Sequence, residues 1–152
     1  MIVYRLSRKK YASVLSGKGA SKSENRWNSK GTKIVYSSES RALAMAEIAV
    51  HLSIGTLPAG FVMLEISIPD EIHITSENEK SLPAGWNSSL HSVSSQKIGD
   101  NFITSNASCV LKVPSAVVKG DYNYLINPHH PDFSKIQIIN SYDFPLDKRF
   151  FK

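Results

Sequence analysis

The sequence has very little cysteine and no long apolar run, and both absences narrow the class of protein. Cys109 is the single cysteine, so no intrachain disulfide can form and a reducing compartment is expected. No stretch approaches the roughly 20 apolar residues that cross a bilayer, and residues 1–5 do not begin a secretion signal. We therefore expect a soluble cytoplasmic protein without membrane contact, folded as one domain over residues 1–152.

The motifs that usually identify phosphate-binding loops, metal sites and serine hydrolases are also missing. Neither G-x-x-x-x-G-K-S/T nor G-x-G-x-x-G occurs. His129 and His130 lie between prolines near Asp132, but adjacent histidines do not easily share one metal and no H-E-x-x-H partner exists. A structural proline-rich loop is the preferred interpretation, and we expect no metal. Ser115 has no G-x-S-x-G elbow around it, which disfavours a serine hydrolase.

Acidic residues are the minority among the charges. The chain has 18 Lys and Arg against 13 Asp and Glu, a net charge of +5. This balance attracts anionic partners such as nucleotides, nucleic acids or acidic proteins without choosing among them. The basic residues form only short clusters, Arg8-Lys9-Lys10 and Lys148-Arg149, which are typical of a solvated surface. A nucleic-acid-binding protein is kept as an alternative class.

Strand and helix patterns follow one another in irregular order along the chain. Runs rich in β-branched and aromatic residues predict strands over residues 2–6, 33–37, 61–68, 109–113, 122–126 and 136–142. A helix is predicted from the capping segment Ser38-Glu39-Ser40 to about Ile54, closed by Gly55, and a weaker helix over residues 95–105. Residues 75–81 are polar and predict no element. The order favours an α+β domain over a regularly alternating parallel sheet.

A glycine- and serine-rich loop over residues 16–33 carries the triplet Arg26-Trp27-Asn28. Loops of this length inside a compact domain are usually functional or disordered. An arginine there can bind a phosphate bidentately, and an aromatic ring beside it can stack on a planar group. In the alternative interpretation, Arg26 is solvated and Trp27 plugs the core beneath the loop.

Glu47 is the only acid in the apolar helical stretch 42–52. A carboxylate on a helix that is apolar on nearly every face is partly desolvated, which costs free energy unless a partner or a reaction uses it. The helical wheel places Glu47 at the edge of the apolar face, near Leu43 and Val50. The alternative is a surface ion pair with His51, four residues on, and the helix alone does not choose between the two.

Seven segments, taken together and in order, resemble the RES domain family, which is named for an arginine, a glutamate and a serine. The most specific are Val113-Pro114-Ser115-Ala116-Val117-Val118 and N-Y-L-I-N-P-x-H-P, which begins at Asn123. The others are Tyr4-Arg5, Arg26-Trp27-Asn28, Val35-Tyr36-Ser37, Ala42-Leu43-Ala44-Met45-Ala46-Glu47 with His51, and Leu82-Pro83-Ala84-Gly85-Trp86. The resemblance covers nearly the whole chain.

The resemblance implies a fold similar to that of ADP-ribosyltransferases, a single compact α+β domain with a mixed, mostly antiparallel split sheet and a few helices. It also implies the toxin of a bacterial type II toxin–antitoxin pair that consumes NAD. An Xre-type helix-turn-helix antitoxin is the expected partner, direct nucleic-acid contact is not expected, and a homodimer within the complex is allowed. Arg26, Glu47 and Ser115 match the family's catalytic residues, while Arg5 and Tyr36 match further pocket positions.

The same resemblance implies a role for each residue in cleaving the nicotinamide–ribose bond. Glu47 would stabilise the positive charge that grows on the ribose, as carboxylates do in glycoside hydrolysis. Arg26 and Arg5 would bind the pyrophosphate, Tyr36 would stack on nicotinamide, and Ser115 would hydrogen-bond the ribose or the amide. The loop around Arg26 would close over the substrate.

Three acceptors of ADP-ribose stay open: water, phosphate and a protein side chain. They correspond to an NAD glycohydrolase, an NAD phosphorylase and an ADP-ribosyltransferase. Two readings from other classes are a basic RNA-acting toxin and a noncatalytic partner-binding domain in which Glu47 would be silent.

Overall fold

The computed structural model describes residues 1–52, 59–90 and 92–151. A seven-stranded sheet is its central element. The strands are β1 Ile2–Arg8, β2 Val35–Ser38, β3 Phe61–Ser67, β4 Ile74–Ser76, β5 Val110–Pro114, β6 Tyr122–Ile126 and β7 Gln137–Asp143. Their spatial order is β4-β5-β6-β2-β1-β3-β7. The β4–β5 pair is parallel, and the other neighbouring pairs are antiparallel.

The sheet is nearly divided between β1 and β2. These strands share a single register pair, Tyr4 with Ser38, whereas β1 and β3 pair from Ile2 with Ser67 to Arg8 with Phe61. Two sub-sheets, β4-β5-β6-β2 and β1-β3-β7, therefore meet at a narrow junction. This confirms the expected α+β fold with a mixed, mostly antiparallel split sheet.

Period-two alternation explains how the strands distribute the core between the two faces of the sheet. On β3, Val62 and Leu64 join one apolar cluster that spans both sub-sheets. Met63, between them, joins a second cluster on the opposite face of β1-β3-β7. A third cluster, built around Trp27, covers that opposite face of the other sub-sheet. The junction between the second and third clusters is where a cleft can open.

Three α-helices accompany the sheet in the described residues: α1 Lys18–Ser21, α2 Arg41–Ala49 and α3 Val93–Ser105. The Ser40 hydroxyl accepts from the Leu43 amide and caps α2, which confirms the predicted capping segment. Regular α2 ends at Ala49, earlier than expected. The predicted end at Ile54 and the closing Gly55 lie outside the described residues. None of the described helices is long and apolar enough to cross a membrane.

Two segments differ from their predicted structure. Residues 16–33, predicted as a loop, contain the short helix α1. The polar stretch 75–81 contributes to β4, which pairs with β5 from Ile74 with Val110 to Ser76 with Lys112. An edge strand is held by backbone hydrogen bonds on one side and needs few buried side chains, so composition carries little signal for it.

Candidate active site

A cleft of about 660 Å³ contains most of the predicted site residues. Its walls come from the Arg26 loop, from β1, β2 and β6, from α2 and from the segment after Trp86. The lining residues are Arg5, Gly19, Ala20, Asn25, Arg26, Trp27, Tyr36, Glu47, Ile48, Val50, His51, Asn87, Ser88, Ser89, Ala116, Val117 and Asn123. Residues far apart in the chain therefore share one cavity.

Glu47 lies on α2 with its carboxylate held by two side chains. Its Oε1 accepts a hydrogen bond from the Ser115 hydroxyl at 2.7 Å and another from the Asn123 amide at 2.6 Å. Within the described residues no hydrogen bond reaches Oε2. His51 is exposed and makes no ion pair with Glu47 there, so the surface-pair interpretation is wrong.

Ser115 follows the last residue of β5 and is 5% exposed. Its Oγ accepts from the backbone amides of Val117 and Val118, both at 3.0 Å. With both acceptor positions filled, the hydroxyl proton has one direction left, toward Glu47. Ser115 touches the carboxylate and is absent from the residues that line the cleft wall.

Asn123 is a site residue that the sequence did not reveal as such. It lies on β6, paired in register with Ser38 of β2 and Val113 of β5. The Ser38 hydroxyl donates to Asn123 Oδ1 at 2.7 Å, which turns the Nδ2 end toward Glu47. Asparagine is depleted in strands, so an Asn inside the apolar run 122–126 was the available signal.

Arg26 is half-buried and faces the segment after the Leu82 turn. Its guanidinium donates to the carbonyl oxygens of Trp86 and, at 2.9 Å, of Ser88. Burial lowers the pKa of Arg26, and the nearby Glu47 opposes that shift. The interpretation of Arg26 as a solvated side chain is therefore wrong.

Trp27 has the structural role that the alternative interpretation gave it. The indole is 3% exposed, and its ring centroid lies 6.1 Å from that of Trp86 at an angle of 34°. Such tilted aromatic pairs are favourable packing. Trp27 therefore anchors the loop in the core while its neighbour Arg26 reaches into the cleft.

Arg5 and Tyr36 meet where the two sub-sheets separate. Because β1 and β2 share one register pair, the Tyr36 carbonyl is open to a side chain, and Arg5 Nη1 donates to it at 2.8 Å. Desolvation lowers the pKa of Arg5. The Tyr36 hydroxyl donates to Asn28 Oδ1 at 2.5 Å, and burial raises the pKa of Tyr36 above its ordinary value. Tyr36 and the two arginines thus share the cleft with Glu47.

The histidine-containing loop is locally folded. Pro131–Lys135 form a 3-10 helix, and His130 Nδ1 accepts from the Asp132 amide at 3.1 Å at its start. Among residues 1–52, 59–90 and 92–151, no group of three or more His, Cys, Asp or Glu side chains is placed to hold a metal ion. The role of His130 in this loop is therefore explained by the hydrogen bond that caps the 3-10 helix.

The protein therefore belongs to the α+β class with a split mixed sheet, and a carboxylate and two arginines lie in a cleft where the two sub-sheets meet. A chain in the crystal structure of the M. tuberculosis MbcT–MbcA toxin–antitoxin complex has the same fold, with a TM-score of 0.73 at 18% sequence identity. The match covers 99% of this chain and 86% of that one.

Sequence comparison then gives the family. The RES domain model matches residues 2–147, and the chain belongs to the RES domain family. The "Prs ADP-ribosylating toxin" of Sphingobium sp. (strain YBL2) is 41% identical over 128 residues, which cover 83% of this chain and 80% of that protein. "Toxin Res" of Photorhabdus laumondii subsp. laumondii is 37% identical over 154 residues, covering 100% and 98%. These relatives, both named as toxins, confirm the resemblance to the RES domain family.

Proposed function

We propose that this protein is the toxin of a toxin–antitoxin pair and depletes NAD by cleaving the nicotinamide–ribose bond. The observation that carries the proposal is the Glu47 carboxylate, held by Ser115 and Asn123 in the same cleft as Arg26 and Arg5. The two arginines suit an anion, and the carboxylate suits a developing cation. A dinucleotide with a pyrophosphate and a reactive ribosyl carbon has both.

The bond that breaks joins C1′ of the ribose to the ring nitrogen of nicotinamide. The electron pair leaves with nicotinamide, which departs as a neutral base because the bound ring already carries the positive charge. Positive charge then spreads over C1′ and the ring oxygen, and Glu47 stabilises it electrostatically. Water or phosphate supplies the electron pair of the new bond, and when water does so it releases one proton to the solvent. This step needs no metal.

The arginines and Tyr36 hold the rest of the substrate in this scheme. A guanidinium binds phosphate oxygens through parallel N–H donors. Arg26 has two of its donor directions on Trp86 and Ser88, so a pyrophosphate either uses the remaining donors or displaces these carbonyls. The Tyr36 ring lines the cleft and offers a face for nicotinamide.

An Xre-type helix-turn-helix antitoxin is the partner that we propose, with a homodimer of this chain inside the complex. The structural neighbour comes from a toxin–antitoxin complex, which supports an antitoxin partner. Size-exclusion chromatography with light scattering, on the toxin alone and co-expressed with its neighbouring reading frame, measures the stoichiometry. A toxin that stays monomeric and binds no such protein contradicts this assignment.

The decisive experiment is incubation of the purified chain with NAD, with and without phosphate, followed by mass analysis of the products. Free nicotinamide with ADP-ribose indicates hydrolysis, and ADP-ribose 1″-phosphate indicates phosphorolysis. Arg26→Ala and Glu47→Ala are expected to abolish most turnover. Arg149→Ala, an exposed arginine paired with Asp147, is the matched control and is expected to retain it.

Transfer of ADP-ribose to a protein is the second candidate, and the name of the Sphingobium relative favours it. The test incubates radiolabelled NAD with the toxin and with purified Prs, the protein in that relative's name. It separates the two reactions, because transfer leaves label on protein.

Expression in cells tests the RNA-acting alternative. If growth stops while NAD stays constant and no protein is labelled, NAD chemistry is excluded and RNA integrity becomes the assay.

A further inference from the structure

The segment around Arg26 is attached to α3 by every second residue. Gln96 Nε2 donates to the Asn25 carbonyl at 3.1 Å. The Asp100 carboxylate accepts two hydrogen bonds from Ser29, one from the Ser29 backbone amide at 3.1 Å and one from the Ser29 hydroxyl at 2.6 Å. Together these bonds hold both ends of the segment 25–29 against one helix.

Gly99 makes the contact in the middle of the segment. A Cβ built on Gly99 would lie 1.6 Å from the Trp27 carbonyl oxygen and 2.6 Å from its carbonyl carbon. No side chain fits at that distance, so the Trp27 backbone rests directly on α3. Gln96, Gly99 and Asp100 have the i, i+3, i+4 spacing that places three residues on one helical face.

Arg26 lies between the attached residues, and its side chain points into the cleft. Asn28, two residues after Arg26, is 0% exposed and is fixed from the cleft side. Its Nδ2 donates to the Ala20 carbonyl at 2.9 Å, and its Oδ1 accepts from Tyr36. The backbone on both sides of Arg26 is therefore restrained, and α3 supplies the restraint from behind.

We propose that α3 is the positioning element for Arg26 and that Asp100 is its principal positioning residue. Asp100 does not line the cleft; it acts by fixing the backbone from which the guanidinium extends. The inference rests on the proposed function for its ligand class, the phosphate-bearing part of a dinucleotide. The attachment to α3 also bears on the predicted closure of the Arg26 loop. A loop that closed over the substrate would first have to break its contacts with α3.

Two substitutions of Asp100 separate this role from simple electrostatics. Asp100→Ala and Asp100→Asn remove the same negative charge, which by itself strengthens anion binding nearby. Asparagine keeps both bonds, since its oxygen accepts from the Ser29 amide and its NH₂ group donates to the Ser29 hydroxyl. Only alanine releases the loop. The positioning role therefore predicts opposite outcomes for the two variants.

The test measures ADP-ribose binding by calorimetry and NAD turnover on the full chain. We expect Asp100→Ala to weaken ADP-ribose binding and raise KM by about tenfold, with kcat changed less than about twofold. Asp100→Asn is expected to bind as well as the wild type or better. Lys97→Ala, on the exposed side of the same helix, is the matched control. Equal binding by the alanine and asparagine variants would overturn the proposal.

A ligand-free readout keeps this proposal separate from the proposed function. In Asp100→Ala, the Ser29 amide loses its acceptor, so its hydrogen exchange accelerates and the NMR signal of the Arg26 Nε–H group shifts. Both stay unchanged in Asp100→Asn. If these signals do not respond to alanine, α3 does not position Arg26. If they respond as expected while the wild type neither binds ADP-ribose nor consumes NAD, the proposed function alone fails.

Discussion

The two walls of the cleft are built in opposite ways. Glu47 and its partners Ser115 and Asn123 extend from regular elements or their ends, and side chain bonds to side chain. Arg26 extends from a segment without helix or strand. The backbone of that segment is held mainly by side chains of α3. A group that stabilises charge on one carbon needs a fixed position, whereas an arginine that binds a phosphate has several donors to offer. The construction of each wall matches the roles that we propose for Glu47 and Arg26.

The largest expected effect comes from removing the charge of the carboxylate wall without changing its shape. Glutamine at position 47 can still accept from Ser115 and Asn123, so Glu47→Gln should fold normally. In the proposed mechanism this charge stabilises the ribosyl cation, so its loss should lower kcat for NAD cleavage by about 10²- to 10³-fold. Product formation followed by mass spectrometry measures this loss.

Glu71→Gln, which neutralises an exposed acid in a loop, is the charge-matched control for Glu47→Gln. It should retain full turnover and toxicity. A glutamine variant at position 47 that turns over NAD at the normal rate would remove Glu47 from the mechanism.

The next effect tests whether the carboxylate must be fixed. Asn123→Ala leaves Glu47 Oε1 with one donor and leaves the buried Ser38 hydroxyl without its acceptor. Hydrogen bonds to charged groups contribute about 1.5–3 kcal/mol, so kcat should fall by about 10- to 100-fold. Asn140→Ala, at an exposed position on β7, is the control. Unchanged turnover in Asn123→Ala would show that Ser115 alone fixes the carboxylate.

A smaller effect is expected on stability where the walls meet. Tyr36→Phe leaves the buried Asn28 Oδ1 without its donor and should lower the free energy of unfolding by about 1–3 kcal/mol. Burial raises the pKa of Tyr36, so its protonated form stabilises the fold below the ordinary tyrosine pKa of about 10. That contribution is lost as pH rises further. Urea titrations from pH 7 to 11 should show the variant and wild type converging at high pH; a constant difference contradicts this.

The smallest effect is expected at the far end of α2. Arg41, the first residue of the helix, pairs with Glu65 and lies over the Tyr4 ring at 4.6 Å. Its side chain is 48% exposed, so solvent screens the ion pair and Arg41→Ala should change the stability only slightly. Thermal melting measures this, and NAD turnover should change by less than about twofold. A large loss of turnover would mean that the carboxylate wall depends on this surface pair.

Most of the strands were predictable because their local chemistry is unambiguous. Residues 122–126 were predicted as a strand and form β6 with the same limits, since β-branched and aromatic residues fit a pleated, half-buried surface. Strand β4 was missed because its three residues are held by backbone pairing at the sheet edge. The early end of regular α2 at Ala49 was not predicted, because the apolar pattern continues past that residue.

The candidate site likewise contains residues that could be identified from the sequence and residues that could not. Glu47 was identifiable as an acid in an apolar helix, and Arg26 as a charge beside a tryptophan in a glycine-rich loop. Neither observation showed that they share a cavity. Asn123 and Asp100 went unrecognised because a polar residue acquires its role from the atom it meets, and Asn123 meets Glu47 across 76 residues of chain.

By itself, the sequence determined the α+β class, most of the strands and, through the order of its motifs, membership of the RES family. The tertiary structure decided which atoms meet at Glu47 and what holds Arg26 in place. The physical reason is register. Ser38, Asn123 and Val113 are neighbours because β2, β6 and β5 pair in one alignment, and a shift of one residue would turn Asn123 to the other face of the sheet.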